Sequence, residues 1–313
     1  MREFQDTRLK LWEVLDAKFE AMPAPKLAKP LKESEAEEWV QAIIEEFYSH
    51  PVSTHPLMRK FRDQTYPDHG RAVAFFAHQI YAFARDFRAV CGITIGKLKC
   101  CDDVCDNLVY HLAEENGRYP EKDVAFLATQ NISADSFVGK PHIDLWASLL
   151  HKLGITPTED SFIAEAKALD MWMINHVRMN TATSNSAMIM GIELWSKDMG
   201  KDMLPALASA GLTREDAIFF ELHNVIDDEI HVADIGKDLV SLLTNQPPEN
   251  SLMELKVHVT SICHTCISTI VHVEVFVRVQ LLVASNSTTS SSTRGIRRTQ
   301  TRHFKLLYAS RGA

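Results

Sequence analysis

Two histidines and a run of carboxylates stand close together in Phe219-Phe220-Glu221-Leu222-His223-Asn224-Val225-Ile226-Asp227-Asp228-Glu229-Ile230-His231. On an α-helix each residue advances about 100°, so His223, Asp227 and His231 fall within roughly 80° of arc on one face. Imidazole nitrogens and a carboxylate gathered in that way can hold a metal ion, provided that other segments complete the donor set.

Carboxylates on otherwise apolar helix faces are costly unless neutralised, and three further segments carry candidates. They are Glu114 and Glu115 near residue 115, His142 at the start of 142–153, and Glu193 within 182–197. Two or three carboxylates with three histidines, converging inside a helical bundle, suit a pair of iron or manganese ions. Structural zinc prefers closed four-ligand sites rich in thiolate. Any one of these residues alone reads more readily as part of a solvated face or as a hydrogen-bonded core histidine. The ordered set Glu115, His142, Glu193, His223, Asp227 and His231 is what points to a metal. Glu114 is read as a solvated neighbour, with a seventh ligand as the alternative, and His78, His151 and His176 as packing or hydrogen-bonding residues.

The elements that must position these donors are marked by apolar spacing and by caps. Residues 5 to 22 read as a helix through Leu9, Trp12, Leu15 and Phe19, and Ser34-Glu-Ala-Glu37 has the form of a capping box for the next. Residues 71 to 90 are apolar on most of their circumference, as suits a helix crossing a bundle centre. A helix over Lys99 to Glu115 is expected to stop at Asn116-Gly117, followed by a long connection to Pro141. Helical spacing resumes over 142–153, and Thr156-Pro157-Thr158-Glu159 starts a helix reaching about Met179. Residues 182–197 form a core-type helix. Thr213-Arg-Glu-Asp216 caps the last one, which persists to about Leu243 before Pro247-Pro248. No convincing strand occurs through residue 244. The expectation is an all-α, antiparallel bundle of about seven helices over residues 1–250.

From residue 251 the character changes. Val257-His-Val-Thr-Ser-Ile-Cys263 and Ile270-Val-His-Val-Glu-Val-Phe-Val-Arg-Val279 alternate and are β-branched, and a Ser/Thr-rich run with a basic end follows. Residues 251–313 hold eight Lys and Arg against two Glu, a balance of +6 in a chain of formal charge −8, which leaves −14 for residues 1–250. An atypical tail, β-prone or disordered, is expected there. The acidic body disfavours nucleic acid as the main partner. No window approaches 18 uninterrupted apolar residues, and the N-terminal stretch is charged, so neither a membrane span nor a secretory signal is expected and the protein reads as cytoplasmic. Six cysteines fall in two clusters, Cys91/Cys100/Cys101/Cys105 and Cys263/Cys266, without paired zinc spacing. No Gly-rich phosphate loop, Gly-x-Ser-x-Gly elbow or credible Ser-His-Asp arrangement occurs.

Over roughly residues 70 to 240 the chain resembles the heme-oxygenase-like diiron oxidases and oxygenases, relatives of the TenA and PqqC proteins. In that family a Glu in an Asn-Leu-x-x-Glu-x-Gly-like segment is followed by a His opening the next helix. His111-Leu-Ala-Glu-Glu115-Asn-Gly117 looks like the first, which favours Glu115 as the ligand, and His142-Ile-Asp-Leu-Trp146 looks like the second. Glu193 matches the family's lone later Glu, and His223 and Asp227 match its His-x-x-x-Asp-x-x-His helix. His231 stands eight residues after His223 where the family has seven, so one extra residue must be absorbed, as by a π-bulge. The connection from Glu115 to His142 is longer than usual and reads as a lid or an insertion.

The resemblance implies an enzyme in which two ferrous ions and dioxygen oxidise a small organic substrate: amine N-oxygenation, carbon–carbon cleavage or oxidative decarboxylation. An external electron donor and a homodimer are further expectations. Phe75, Phe76, Tyr81 and Phe83 are candidate pocket walls. Two alternatives stand beside this reading. One is a metal-free TenA-like or PqqC-like enzyme acting on a heterocycle, and the other is a non-catalytic helical binding protein.

Overall fold

The computed structural model describes residues 29–49, 56–66, 68–98, 101–226 and 231–245, and every regular element in them is helical. The α-helices among the described residues are α1 (Glu33–Ser49), α2 (Pro56–Arg62), α3 (His69–Ala84), α4 (Phe87–Ile95), α5 (Asp102–Glu115) and α6 (Glu121–Thr129). They continue as α7 (Ala134–Phe137), α8 (His142–Lys152), α9 (Ala164–Met179), α10 (Ala182–Ser209), α11 (Ile218–Ile226) and α12 (Val232–Asn245). The expected helix over 5–22, the strands and basic tail of 251–313, the domain boundary at 250, Cys263/Cys266 and Asp227 all lie outside the described residues.

The all-α expectation holds, while the count of about seven does not, because tertiary contacts divide several expected helices. The apolar run 71–90 breaks at Arg85–Asp86. There the Arg85 guanidinium bonds Glu159 at 2.6 Å and Asp170 at 3.2 Å. The segment 116–141 is not a bare connection, since it contains α6 and α7. The helix expected from Pro157 opens as a single 3₁₀ turn, Glu159–Ser161, closed by a Thr158/Ser161 capping box, and restarts at Ala164. The one expected to end at 197 runs on to Ser209 through Pro205. The last helix is described as two stretches, α11 and α12, on either side of residues 227–230, which lie outside the described residues. The capping box expected at Ser34 does not form, because the helix already begins at Glu33, and two residues before Ser34 the Lys32 N–H donates to the Glu35 carboxylate at 3.2 Å.

Helix α10 is the axis of the bundle, packed against α2, α3, α4, α9, α11 and α12. It is buried without interruption from Ala182 to Ser196, the pattern of a helix enclosed on all sides. Ala182, Ser184, Ser186, Ala187 and Gly191 keep that stretch slim. At Gly200 a methyl group would come within 3.1 Å of the Phe220 carbonyl oxygen, so α11 approaches α10 as closely as backbone allows. Fully buried Trp146, Trp195 and Phe220 each contribute about 1.5–3 kcal/mol through burial. Trp146 also ties three helices: its Nε1–H donates to the Ala77 carbonyl of α3 at 3.1 Å, and its ring lies 4.3 Å from that of Phe219 on α11.

A second fixed point joins α5 to α8. Gly117 has φ +77°, a conformation that favours glycine, and its carbonyl accepts from the Gly139 N–H at 2.8 Å. A Cβ there would stand 2.5 Å from the Lys140 nitrogen. The C-terminus of α5 and the start of α8 are thereby clasped together, with Glu115 on one side and His142 on the other. No helix among the described residues is long and apolar enough to cross a membrane.

Candidate metal centre

The last turn of α5 carries His111, Glu114 and Glu115, which at spacings of three and four face the same direction. The first residue of α8 is His142, α10 contributes Glu193 from its enclosed middle, α11 contributes His223, and His231 immediately precedes α12. The backbone at His231 is π-helical, the geometry that absorbs an additional residue.

These side chains form two buried triplets, His111/Glu193/His231 and Glu115/His142/His223, with candidate donor atoms in each triplet within 4.8 Å of one another. In the first, Glu193 is shared: its Oε1 lies 3.4 Å from His111 Nε2 and its Oε2 3.3 Å from His231 Nδ1. The His111 and His231 rings stack at 4.3 Å. In the second, His142 Nδ1 lies 2.9 Å from Glu115 Oε1. Two donors at right angles on one first-row dication, each about 2.1 Å from it, would stand about 3 Å apart. The observed separations are of that size.

His223 shows which nitrogen is free. Its Nδ1 lies 2.8 Å from the Phe219 carbonyl oxygen, which can only accept, so Nδ1 carries the proton and Nε2 is the remaining donor atom. That is how an imidazole is held when its second nitrogen ligates a metal. Burial, then the charge of His142, push the His223 imidazole down to about 4, so it is neutral at pH 7. At Glu115 burial works against ionisation, but the His142 charge and hydrogen bond, with His223 and His111 behind them, outweigh it and hold the carboxyl at about 2. Burial is likewise overcome at Glu193 by His111 and His231, which hold it well below the usual carboxylate range. Both carboxylates are therefore anionic in a dry interior.

Of the expected donors, the structure gathers Glu115, His142, Glu193, His223 and His231 into these two triplets. Asp227 lies outside the described residues. Glu114 departs from the expectation of a solvated neighbour: it is fully buried, and its Oε2 accepts from His231 Nε2 at 2.9 Å. Its other oxygen has no hydrogen-bond partner, and neither does His111 Nε2. Orphaned buried polar atoms on donor residues, beside anionic carboxylates, fit a cation. His111 is the donor that sequence reading passed over. The signal was its position one helical turn before Glu115. Tyr119, in the connection before α6, was also missed, and its hydroxyl hydrogen-bonds His142 Nε2.

Other histidines and cysteines fall outside the centre. His78 bonds Ser161 Oγ at 2.9 Å and the Gln79 amide at 3.2 Å. An amide nitrogen only donates, so His78 Nδ1 accepts, and Nε2–H donates to the serine rather than withdrawing its proton. His151 is exposed, and His176 packs on Trp172. Burial, with Glu115 and Glu193 adding, pushes the Cys91 thiol well up, so it stays neutral. No candidate metal group among the described residues includes a cysteine.

Beside the donors lies a cavity of about 30 Å³ with Glu115, His142, Glu193 and His223 on one side and Phe83, Phe87, Trp146, Ile192, Met199 and Phe219 among its walls. Of the aromatic walls expected from sequence only Phe83 is among them. Phe76 packs on Phe61, Tyr81 on Trp146 and Phe162, and Phe75 is half-buried in the core.

A sequence model of the family described as iron-containing redox enzyme matches residues 74–255, more than half of the chain. No curated protein sequence matches. Among solved structures, a TenA homologue from Pseudomonas syringae pv. tomato superposes with a TM-score of 0.54 at 16% identity, covering 77% of this chain and 96% of that one. That similarity establishes a shared fold. A domain of unknown function with a heme oxygenase-like fold, from Shewanella denitrificans, gives 0.48 at 13% identity, covering 84% and 99%.

Proposed function

This chain belongs to the family of iron-containing redox enzymes, and from that premise we propose that it is a non-heme diiron oxidase or oxygenase acting on a small organic molecule. One ion would be held by His111, Glu193 and His231 with Glu114 adjoining, and the other by Glu115, His142 and His223. Iron in these positions supplies the redox chemistry, coupling reduction of dioxygen to oxidation of the substrate, with an external donor furnishing any further electrons. The observation that carries the reading is the pair of buried imidazole–carboxylate triplets.

The protein's own groups do the remainder. Glu115 and Glu193 stay anionic and offset positive charge, and the Phe219 carbonyl keeps the His223 proton on Nδ1. Phe83, Phe87, Trp146 and Phe219 exclude water from the oxidising side and favour an apolar substrate portion. Since about 30 Å³ admits little more than a water, a substrate must displace side chains such as Met199 to reach the donors.

A second reading, a metal-free enzyme of TenA type working by acid–base chemistry, draws on the structural likeness to the TenA homologue and on the direct His142–Glu115 hydrogen bond. Metal analysis separates the two. After anaerobic reconstitution with ferrous ion, about two irons per chain are expected, with transient visible absorption on exposure to oxygen. Well under one iron per chain with no transient would defeat the diiron reading. Glu193→Ala is expected to abolish binding at one site while leaving the helical circular dichroism nearly intact, and unchanged stoichiometry would count against the assignment.

A further inference from the structure

The seam between α5 and α12 is polar where two packed helices would ordinarily be apolar. On α5, Asp103, Asn107 and His111 recur one turn apart. Opposite them Ser241 Oγ donates to Asp103 Oδ2 at 2.9 Å, and Asn107 Nδ2 donates to Asp238 Oδ1 at 2.6 Å. The next rung is the stacked pair His111/His231. Between the second rung and the third lies a cavity of about 20 Å³ bounded by Asn107, Tyr110, His111, His231, Asp234 and Asp238, with Leu108 and Ile235 as its apolar walls. Around the cavity Asn107 is exposed, Tyr110 and Asp234 are half-buried, and Asp238, His111 and His231 are buried. At the inner end His111 is 4% exposed, and its buried Nε2, 3.4 Å from Glu193, has no hydrogen-bond partner.

We propose that this seam is the route by which a divalent cation reaches the His111/Glu193/His231 triplet. The inference rests on the metal reading above. A cavity of this size holds about one water or one ion, which excludes an organic substrate from this side. Its carboxylates attract dications, and the hydroxyl and amide oxygens of Ser241 and Asn107 can replace water around a cation as it moves inward. Burial raises the Asp238 carboxyl to about 7 despite the Asn107 hydrogen bond, so a proton can leave as a cation arrives. The apolar cavity against Phe83 and Trp146 opens on the second triplet, so ions and organic substrate would approach from different directions.

The test uses the full chain stripped of metal, with cobalt(II) uptake followed by stopped-flow absorbance. Asn107→Leu and Asp238→Asn are expected to slow uptake roughly tenfold, with the final number of ions per chain unchanged. Asp234→Asn, at a half-exposed position that bears little packing, is expected to slow it in the same direction by less. Uptake at the wild-type rate in all three variants would overturn the route while leaving the metal centre standing. A reduced final stoichiometry in Asp238→Asn would overturn it too, by making Asp238 a ligand. If the wild-type chain takes up no dication, the metal reading fails and the route falls with it.

Discussion

Replacing Glu115 by Gln keeps the shape of the side chain and removes its charge. In the metal-free protein the Glu115 carboxyl sits at about 2 against an ordinary value of 4.5, a difference worth about 3 kcal/mol at 1.36 kcal/mol per pH unit. Because the folded-state value is the lower one, this stabilisation is present in full above about pH 4.5 and is lost as the pH falls toward 2. Between pH 5 and pH 3 the wild-type chain should therefore lose about 2 kcal/mol from this group alone. Glu115→Gln should lack that component. At pH 7 the variant should be less stable than wild type by up to about 3 kcal/mol, since the His142 imidazole is left facing an uncharged amide. Urea unfolding of both proteins in excess chelator, at half-unit steps from pH 3 to 7, measures the two slopes. Parallel slopes, with equal stability at pH 7, would refute the claim that the buried His142–Glu115 hydrogen bond organises the second triplet.

Two further substitutions probe the supports of the site. Tyr119→Phe removes the hydroxyl on His142 Nε2 and, as the loss of a partner that orients a ligand, is expected to weaken metal binding by about 10- to 100-fold in chelator competition. Unchanged affinity would show that the hydroxyl has no orienting role. Gly117→Ala places a methyl group 2.5 Å from the Lys140 nitrogen at φ +77° and should lower stability by about 1–3 kcal/mol or more in thermal unfolding. It should also loosen metal binding by shifting His142 relative to Glu115, and wild-type stability would contradict the clasp.

The helical class was legible in sequence, and so were His142, Glu193, His223 and His231 as residues that the fold brings together with Glu115, which the family resemblance alone singled out from Glu114. Helical period, caps and a polar residue on an apolar face can all be read within a few turns. What was not legible depended on distant partners. The break at Arg85 reflects Glu159 and Asp170, more than seventy residues away. Glu114 and Glu115 are indistinguishable from their own helix, and their roles separate only because His231 meets one and His142 the other. His111 was hidden for the same reason: its spacing from Glu115 was visible, but its stacking on His231 was not. Tyr119 sits in a connection whose course is set by the turn at Gly117, so no periodicity announces it.

The burial of α10 bears on how the centre opens and closes in time. Glu193 lies in the middle of a helix enclosed on all sides, whose amides can exchange with solvent only when the whole bundle unfolds. Glu115 and His142 sit at helix termini, where the backbone opens locally at far lower free energy. One donor is thus a stationary post and its partners are hinged to it. Hydrogen exchange should show protection at Glu193 that is indifferent to metal, while the end of α5 and the start of α8 gain protection when metal is added. The lifetime of a bound ion would then follow the fraying of two helix ends, and the global stability of the fold would hardly enter into it.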